Sequence, residues 1–458
     1  MKVLKFGGTS VGTVESLREV KKIVESIEGN SVIVVSALGG LTDSLIRIAK
    51  ASLEKDEFVA EELKKIEERH SYIINNLVEN HLKSEISLNV KRLIEDLDKE
   101  LLSITETGTL NDEQMDVIVS YGERLSSVII AGIITHGKHH NSLNFIKTES
   151  WFGKNVADLK LTESLIKKEF STIGQKEKAI VPGFISTDKT NGRITNLGRG
   201  GSDYTGALIA AALDAEVLEI WTDVDGFMTA DPRIVKEARV IDNLSFSESM
   251  ELCSFGAKVV YPPTIYPVFH KNIPIRILNT FNHTATGSLI SDNQKEKSDG
   301  VKGITILKEV ALCSIKADNP EVLSKSFSSS LNMLTKEGIV VIPISHPEVK
   351  DEGSFVVFSA DVEKTLNILK KAPISYDGFV YDAGNPVFDI KNDLSALAVV
   401  GNEMKTQSRL AARIEHTLYR NNIRTEASST ENSDTTFIFI ITKDKANEAL
   451  SLVHSLIF

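Results

Sequence analysis

The chain has 458 residues, 41% hydrophobic and 25% charged, which describes a globular protein with ample core and room for two or three domains. Its net charge of −11 argues against nucleic acid or an anionic membrane as partner, so basic groups for any anionic substrate must be gathered in one cleft. Two cysteines, Cys253 and Cys313, lie far apart without CxxC spacing and exclude a disulfide framework; no apolar run reaches the roughly 18 residues that span a bilayer, and Met1 leads into a strand, so the expected compartment is the cytoplasm.

The first predicted strand, from Lys2, ends on Lys5-Phe6-Gly7-Gly8-Thr9-Ser10. Side-chain-free Gly7 and Gly8 would let backbone N–H groups approach an anion, Lys5 would add a full charge, and Thr9 and Ser10 could cap a helix near Val14–Ser26. On this stretch alone a plain strand-to-helix turn is the competing reading, since neither the P-loop pattern nor the dinucleotide fingerprint is present. A second strand, Ser31–Val35, ends in Ser36, with Gly39, Gly40 and Thr42 just beyond, and the strand-helix-strand order predicts a parallel sheet with its ligands past the strand ends. From about Ser44 to Gly137 the spacing of Leu63, Ile66, Ile73 and Leu77, and of Leu93, Leu97, Leu101 and Ile104, predicts amphipathic helices whose charges are solvated faces.

Within the apolar stretch Asp116–Ile134, Gly122-Glu123-Arg124 sets a carboxylate beside a glycine, and a charge there needs a partner, a ligand or water. His136, His139 and His140 lack carboxylate or cysteine at ligand spacing and predict no metal site. Strand Ala179–Val181 runs into Pro182-Gly183-Phe184, and Asn191-Gly192 is read as a two-residue hairpin turn. Leu197-Gly198-Arg199-Gly200-Gly201-Ser202-Asp203, leading into a helix over Gly206–Leu213, forms a second anion cradle with a charged clamp. Strand Val217–Trp221 delivers Thr222 and Asp223, a loop carries Met228 and Arg233, Lys258 follows a helical stretch, and strand Ile275–Leu278 precedes the polar linker Ser291–Gly300. Several such groups at strand ends fit phosphoryl transfer, which needs donor, acceptor and metal held in line.

Together, KFGGTSVG at 5–12, SYGERLSS at 120–127, VPGF at 181–184, LGRGGSDYTGAL at 197–208, WTDVDGF at 221–227, TADPR at 229–233 and FGAK at 255–258 resemble aspartate kinase. The resemblance implies an α/β fold, the amino-acid-kinase αβα sandwich with a mainly parallel sheet, and phosphorylation of the side-chain carboxylate of L-aspartate by ATP carrying Mg2+. Carried over by position, Lys5, Gly7, Gly8 and Ser36 would lie along the phosphates, with Lys5 balancing the charge on the transferring group. Thr42, Glu123 and Arg199 would bind aspartate, the Arg199 fork taking the α-carboxylate and Glu123 the α-ammonium, while Phe184 and Ser202 shape the pocket. Asp203 would orient Lys5 and Lys258, Thr222 and Asp223 would hold the nucleoside, and Arg233 and Lys258 would meet the phosphates. Family members commonly carry tyrosine where Met228 stands, at a nucleotide contact, and histidine where Tyr261 stands. Other readings are a different acyl-phosphate-forming kinase of the same fold and an inactive kinase-like amino-acid sensor.

The tail is predicted as strands near 310–315, 339–344, 355–359 and 376–380 with helices 320–336 and 361–371, the ferredoxin-like β-α-β-β-α-β order. A second unit begins at Ala396–Val400 and lacks its last strand, which Lys302–Leu307 would supply. The expected division is therefore a catalytic domain over 1–295 and a regulatory region over 301–458, with a first unit at about 309–382 inserted in a second made of about 301–308 plus 394–458. That topology resembles the paired ACT domains of aspartate kinases and implies a homodimer and an amino-acid effector, lysine or threonine.

Overall fold

The structure is a computed structural model that describes residues 1–54, 58–151, 154–292, 300–317, 319–346, 352–370, 375–376, 379–380, 387–430 and 433–458. It divides into two compact units, one of Met1–Phe227, Asp242–Phe246 and Val259–Asn293, the other of Met228–Ile241, Ser247–Lys258 and Gln294–Phe458. Residues 228–241 and 247–258, expected with the catalytic part, thus fold with the tail.

In chain order come β1 (Lys2–Phe6), α1 (Val14–Glu25), β2 (Ser31–Val35) and four helices, α2 (Leu41–Glu54), α3 (Phe58–Leu77), α4 (Asn80–Thr107) and α5 (Asp112–Ile133). Then follow β3 (Gly137–His139), β4 (Lys147–Trp151), β5 (Lys154–Ala157), α6 (Leu159–Glu169), β6 (Lys178–Pro182), β7 (Ile185–Asp188), β8 (Ile194–Asn196) and α7 (Gly201–Ala212). The region closes with β9 (Val217–Thr222), β10 (Asn243–Leu244), α8 (Phe246–Ser254), α9 (Ile265–Phe269), β11 (Ile275–Asn279) and β12 (Ser288–Ile290).

The main sheet of the first unit has the order β10-β12-β11-β9-β1-β2-β6-β3 and is parallel except where β11 meets β12. Val3, Leu4 and Phe6 of β1 and Val32–Val35 of β2 are fully buried, as continuous apolar runs in a parallel sheet covered on both faces must be. A smaller four-stranded sheet has the order β5-β4-β7-β8.

Three local expectations are corrected. Helix α1 is capped by Thr13, whose side chain accepts the Ser16 N–H in a capping box, while the Ser10 hydroxyl pairs with Thr280 instead. The Asn191-Gly192 connection is a longer loop in which the Asp188 carboxylate accepts the N–H groups of Thr190 and Asn191; Asn191 keeps a negative φ, so the turn is not of the I′ kind. Helix α7 starts at Gly201 rather than Gly206, so Ser202 and Asp203 occupy its first turn, where no apolar periodicity announces a helix.

The second unit contains β13 (Gly300–Lys316), α10 (Pro320–Lys336), β14 (Ile342–Ser345), β15 (Gly353–Phe358), α11 (Val362–Leu369), β16 (Ser375–Tyr376), β17 (Phe379–Val380), β18 (Val387–Asn402), α12 (Ser408–Arg420), β19 (Thr425–Ser429), β20 (Thr436–Thr442) and α13 (Ala446–Ile457). Its sheet has the order β14-β15-β13-β18-β20-β19. β13 and β18 are long enough to serve both ferredoxin-like halves: Val310–Ile315 pair with β15, and Gly303–Leu307 pair with Val400–Ala396 beside β20. The strand expected at 376–380 is instead a separate two-stranded ribbon of β16 and β17, and Val387–Lys391 of β18 takes the fourth place in the first half. Ala230 and Val235 join the apolar core under α12 and α13, Phe255 joins an apolar cluster shared by β13, β14, β15, β18 and β20, and the Thr229 hydroxyl lies 3.0 Å from His454 Nε2.

Packing at the α5 glycine is tight. A Cβ on Gly122 would lie 2.7 Å from Ala37 Cβ, so only glycine lets α5 approach the β2–α2 loop. Gly122→Ala is expected to destabilise the first unit by about 1–3 kcal/mol, read as a lower urea midpoint; an unchanged midpoint would show that the helix can withdraw freely.

Candidate active site

The loops after β1 and β2 lie backbone against backbone. Gly8 O accepts the Gly39 N–H at 3.0 Å, and a Cβ on either glycine would come within 3.1 Å of a carbonyl oxygen of the other loop. The Gly7 N–H donates to Trp221 O at 3.2 Å, so the expectation that both glycines offer N–H groups to an anion is corrected: that of Gly7 is spent in the sheet edge. Arg69 of α3 donates from Nη2 to Gly12 O at 2.8 Å and Gly39 O at 3.0 Å and so ties the two loops together. Sequence reasoning passed over Arg69 because it sits among the charges of an amphipathic helix.

Beyond these loops lies a cleft of about 460 Å³ that brings together Lys5, Ser36, Thr42, Glu123, Phe184, Arg199, Ser202 and Asp203. Ile46, Met115, Val119 and Asn196 also line it and were not foreseen. The apolar three follow ordinary helix periodicity and read as core, and Asn196 reads as a strand terminus.

Lys5 Nζ lies 2.5 Å from Asp203 Oδ1, joining the middle strand of the sheet to the first turn of α7. Glu123 is 4% exposed; its Oε1 accepts the Ala37 N–H at 3.1 Å and its Oε2 has no hydrogen-bond partner among the described residues. Burial pushes its carboxyl up to about 8, against the opposing pull of the Ala37 N–H and of Lys5. Arg199 is exposed between Gly198 and Gly200, both left-handed at φ +71 and +69. Phe184 also sits at φ +66, a costly conformation for an aromatic residue, and its N–H is held by Thr205 Oγ1 at 3.1 Å.

The remaining expected residues lie outside that cleft. Thr222 ends β9 in the same unit and donates to the Asp223 carboxylate at 3.2 Å. Met228, Arg233 and Lys258 belong to the second unit. There Met228 bridges to Val240, Arg233 is forked onto Asp231, and Lys258 is exposed after α8. Among the described residues no group of three or more His, Cys, Asp or Glu side chains could hold a metal ion, and no helix is long and apolar enough to cross a membrane.

One cleft therefore offers a cation paired with a carboxylate, a guanidinium at its rim and a buried carboxyl, the last two with no ion-pair partner among the described residues. Such a set can receive a ligand bearing both an anion and an ammonium, and it can place charge beside a reacting phosphoryl group. The Glu123 proton also has a consequence for stability. The folded chain holds it up to about 8 while the unfolded chain releases it near 4.5, so stability falls as pH rises across that window. The melting temperature is expected to fall over that range, and Glu123→Gln to flatten the fall, with the larger gain at the alkaline end. Equal slopes in the two proteins would contradict a neutral buried Glu123.

The profile of the amino acid kinase family matches residues 1–279, and that of an ACT domain matches residues 397–456. An aspartokinase of Chlamydia trachomatis is 30% identical over 464 residues, which cover 100% of this chain and 98% of that protein. A bifunctional aspartokinase/homoserine dehydrogenase of Haemophilus influenzae is 33% identical over 473 residues, which cover 100% of this chain and 56% of that protein, so the chain spans about half the length of such relatives. Aspartokinase III of Escherichia coli, solved in complex with aspartate and ADP, has the same fold, with a TM-score of 0.79 at 23% identity over 99% of each chain. The chain belongs to the amino acid kinase family and, within it, to the aspartokinases.

Proposed function

We propose that the protein transfers the γ-phosphoryl group of MgATP to the side-chain carboxylate of L-aspartate, giving 4-phospho-L-aspartate. The observation that carries this reading is Glu123: a buried carboxyl with one oxygen unfilled, in the same cleft as Arg199 and the Lys5–Asp203 pair. An α-ammonium fills that acceptor and draws the carboxyl into its ionised form, while the Arg199 fork takes the α-carboxylate. Thr42, Ser202 and Phe184 then close around the acceptor carboxylate, which is already ionised at neutral pH and needs no strong base.

Lys5 is assigned to the charge that develops on the transferring group, and Asp203 to holding the Lys5 ammonium in place. Gly8 and Ser36 line the phosphates, with Gly7 shaping the turn; Thr222, Asp223 and Met228 are assigned to the nucleoside, and Arg233 and Lys258 to the phosphates, with Mg2+ arriving on the nucleotide. Aspartate and ADP in the Escherichia coli complex support the substrate assignment. Catalysis is assigned to residues 1–295 and regulation to 301–458, acting in a homodimer. Lysine or threonine is proposed as effector of the paired ferredoxin-like halves; a relative from Escherichia coli is named lysine-sensitive.

Hydroxylamine trapping with ATP, magnesium and L-aspartate tests the activity. Aspartyl hydroxamate is expected with wild type, turnover about 100-fold or more lower with Lys5→Ala, and inhibition on adding lysine or threonine. No hydroxamate at high enzyme concentration would overturn the kinase reading, and a near-normal rate with Lys5→Ala would overturn the role of Lys5.

A further inference from the structure

Asp116 lies on α5 seven residues before Glu123, two helical turns away and on the same side. Its carboxylate accepts from Asn155 Nδ2 at 3.1 Å and from Asn196 Nδ2, with no lysine or arginine paired to it among the described residues. Asn155 belongs to β5 and Asn196 to β8, the opposite edges of the four-stranded sheet, so this one side chain ties both edges to α5. Asn196 uses its other end locally, its Oδ1 accepting the Gly198 N–H at 3.0 Å. Gly198 is the first of the two left-handed glycines that flank Arg199, and Asn196 itself lines the cleft.

A loop of glycines has many conformations of similar energy, so something outside it must select one. The hydrogen-bond chain Asp116–Asn196–Gly198 does so, and it takes its reference from the helix that carries Glu123. We propose that Asp116 and Asn196 are a positioning pair that gauges Arg199 against Glu123, and so matches the cleft to the spacing of the α-carboxylate and α-ammonium of the amino-acid substrate. The kinetic part of this inference rests on the aspartate kinase reading; the positional part does not. Neither residue touches the phosphoryl group, and both act through Arg199.

The amide and the carboxylate make the pair testable by exchange. Asn196→Asp sets carboxylate against carboxylate with no donor between them, so the bond to Asp116 is lost and the two side chains repel. In the double variant Asp116→Asn/Asn196→Asp the amide at 116 donates to the carboxylate at 196, whose second oxygen accepts the Gly198 N–H, while the amide oxygen at 116 still accepts from Asn155. Every bond of the chain is restored with the donors reversed.

Two readouts separate the outcomes. Trypsin cleavage after Arg199 and hydrogen exchange across 197–201 report the loop whether or not the enzyme turns over; both are expected to rise about tenfold in Asn196→Asp and Asn196→Ala and to return toward wild type in the exchange variant. In the hydroxamate assay the KM for L-aspartate is expected to rise about tenfold in the single variants, with the KM for ATP within about twofold and recovery in the exchange variant. Loop exchange unchanged in the single variants, or no recovery in the exchange variant, would overturn the proposal. Inactive wild type with the loop readouts as expected would remove only the aspartate reading. Equal rises in both KM values would mark a general loosening of the fold and would also overturn it.

Discussion

A lysine in the middle strand of a buried parallel sheet must meet an anion. Lys5 stands in β1 between Val34 and Ile220 of the flanking strands, and its side chain is 12% exposed. Its partner is Asp203, in the first turn of α7. Gly206 keeps α7 close over the sheet, where a Cβ would come 3.3 Å from Leu218 Cδ1. Apolar side chains of the same shape would stabilise such a site as well or better, since two charges taken out of water regain little by pairing. The value of the pair lies in chemistry: it fixes an ammonium at the mouth of a cleft and a helix start beside it.

The other parts of the cleft follow from that placement. The segment before α7 must cross from β8 through Gly198-Arg199-Gly200, which brings a guanidinium over the cleft. On the far side, Gly122 lets α5 press against Ala37, and Glu123 is thereby carried into a buried site where its Oε1 accepts the Ala37 N–H. A guanidinium and a carboxyl held protonated up to about pH 8 thus face a space with unused hydrogen-bonding capacity. Arg69 holds the two glycine loops from outside, so the walls of the cleft are fixed by contacts that no ligand has to make.

Much of this was legible in the residues and some of it was not. Continuous apolar runs such as Val3–Leu4 and Ser31–Val35 announced the parallel strands, and Lys5, Glu123, Arg199 and Asp203 stood out because charged groups beside glycines at element ends need a reason to be there. The first turn of α7 was missed because its side chains face a cleft and carry no apolar period. Arg69 and Asp116 were missed because their partners are carbonyls and amides far away in the chain, a relation that spacing does not encode. In the tail the helix Pro320–Lys336 was foreseen to the residue, whereas the closing strand of the first half was placed at 376–380 instead of Val387–Lys391. The two long strands β13 and β18 each serve two halves, and a reading that ends strands at turn signals cuts them short.

Motif order also concealed how the chain is partitioned. Met228, Arg233 and Lys258 follow the glycine loops in sequence and read as one set with them, yet the segments that carry them pack with the tail through Ala230, Val235 and Phe255. Arg233 and Lys258, two of the groups assigned to nucleotide phosphates, therefore share one compact unit with the ferredoxin-like halves.

In the proposed reaction an oxygen of the aspartate side chain attacks phosphorus in this cleft. L-Aspartate labelled with oxygen-18 in its side-chain carboxylate, incubated with ATP, magnesium and hydroxylamine, tests it directly, because hydroxylamine attacks the acyl carbon and leaves the bridging oxygen on the released phosphate. One labelled oxygen is expected in that phosphate, seen by phosphorus NMR, in step with hydroxamate formation. Phosphate released without the label would mean that water, not aspartate, takes the phosphoryl group, and would contradict the proposed reaction.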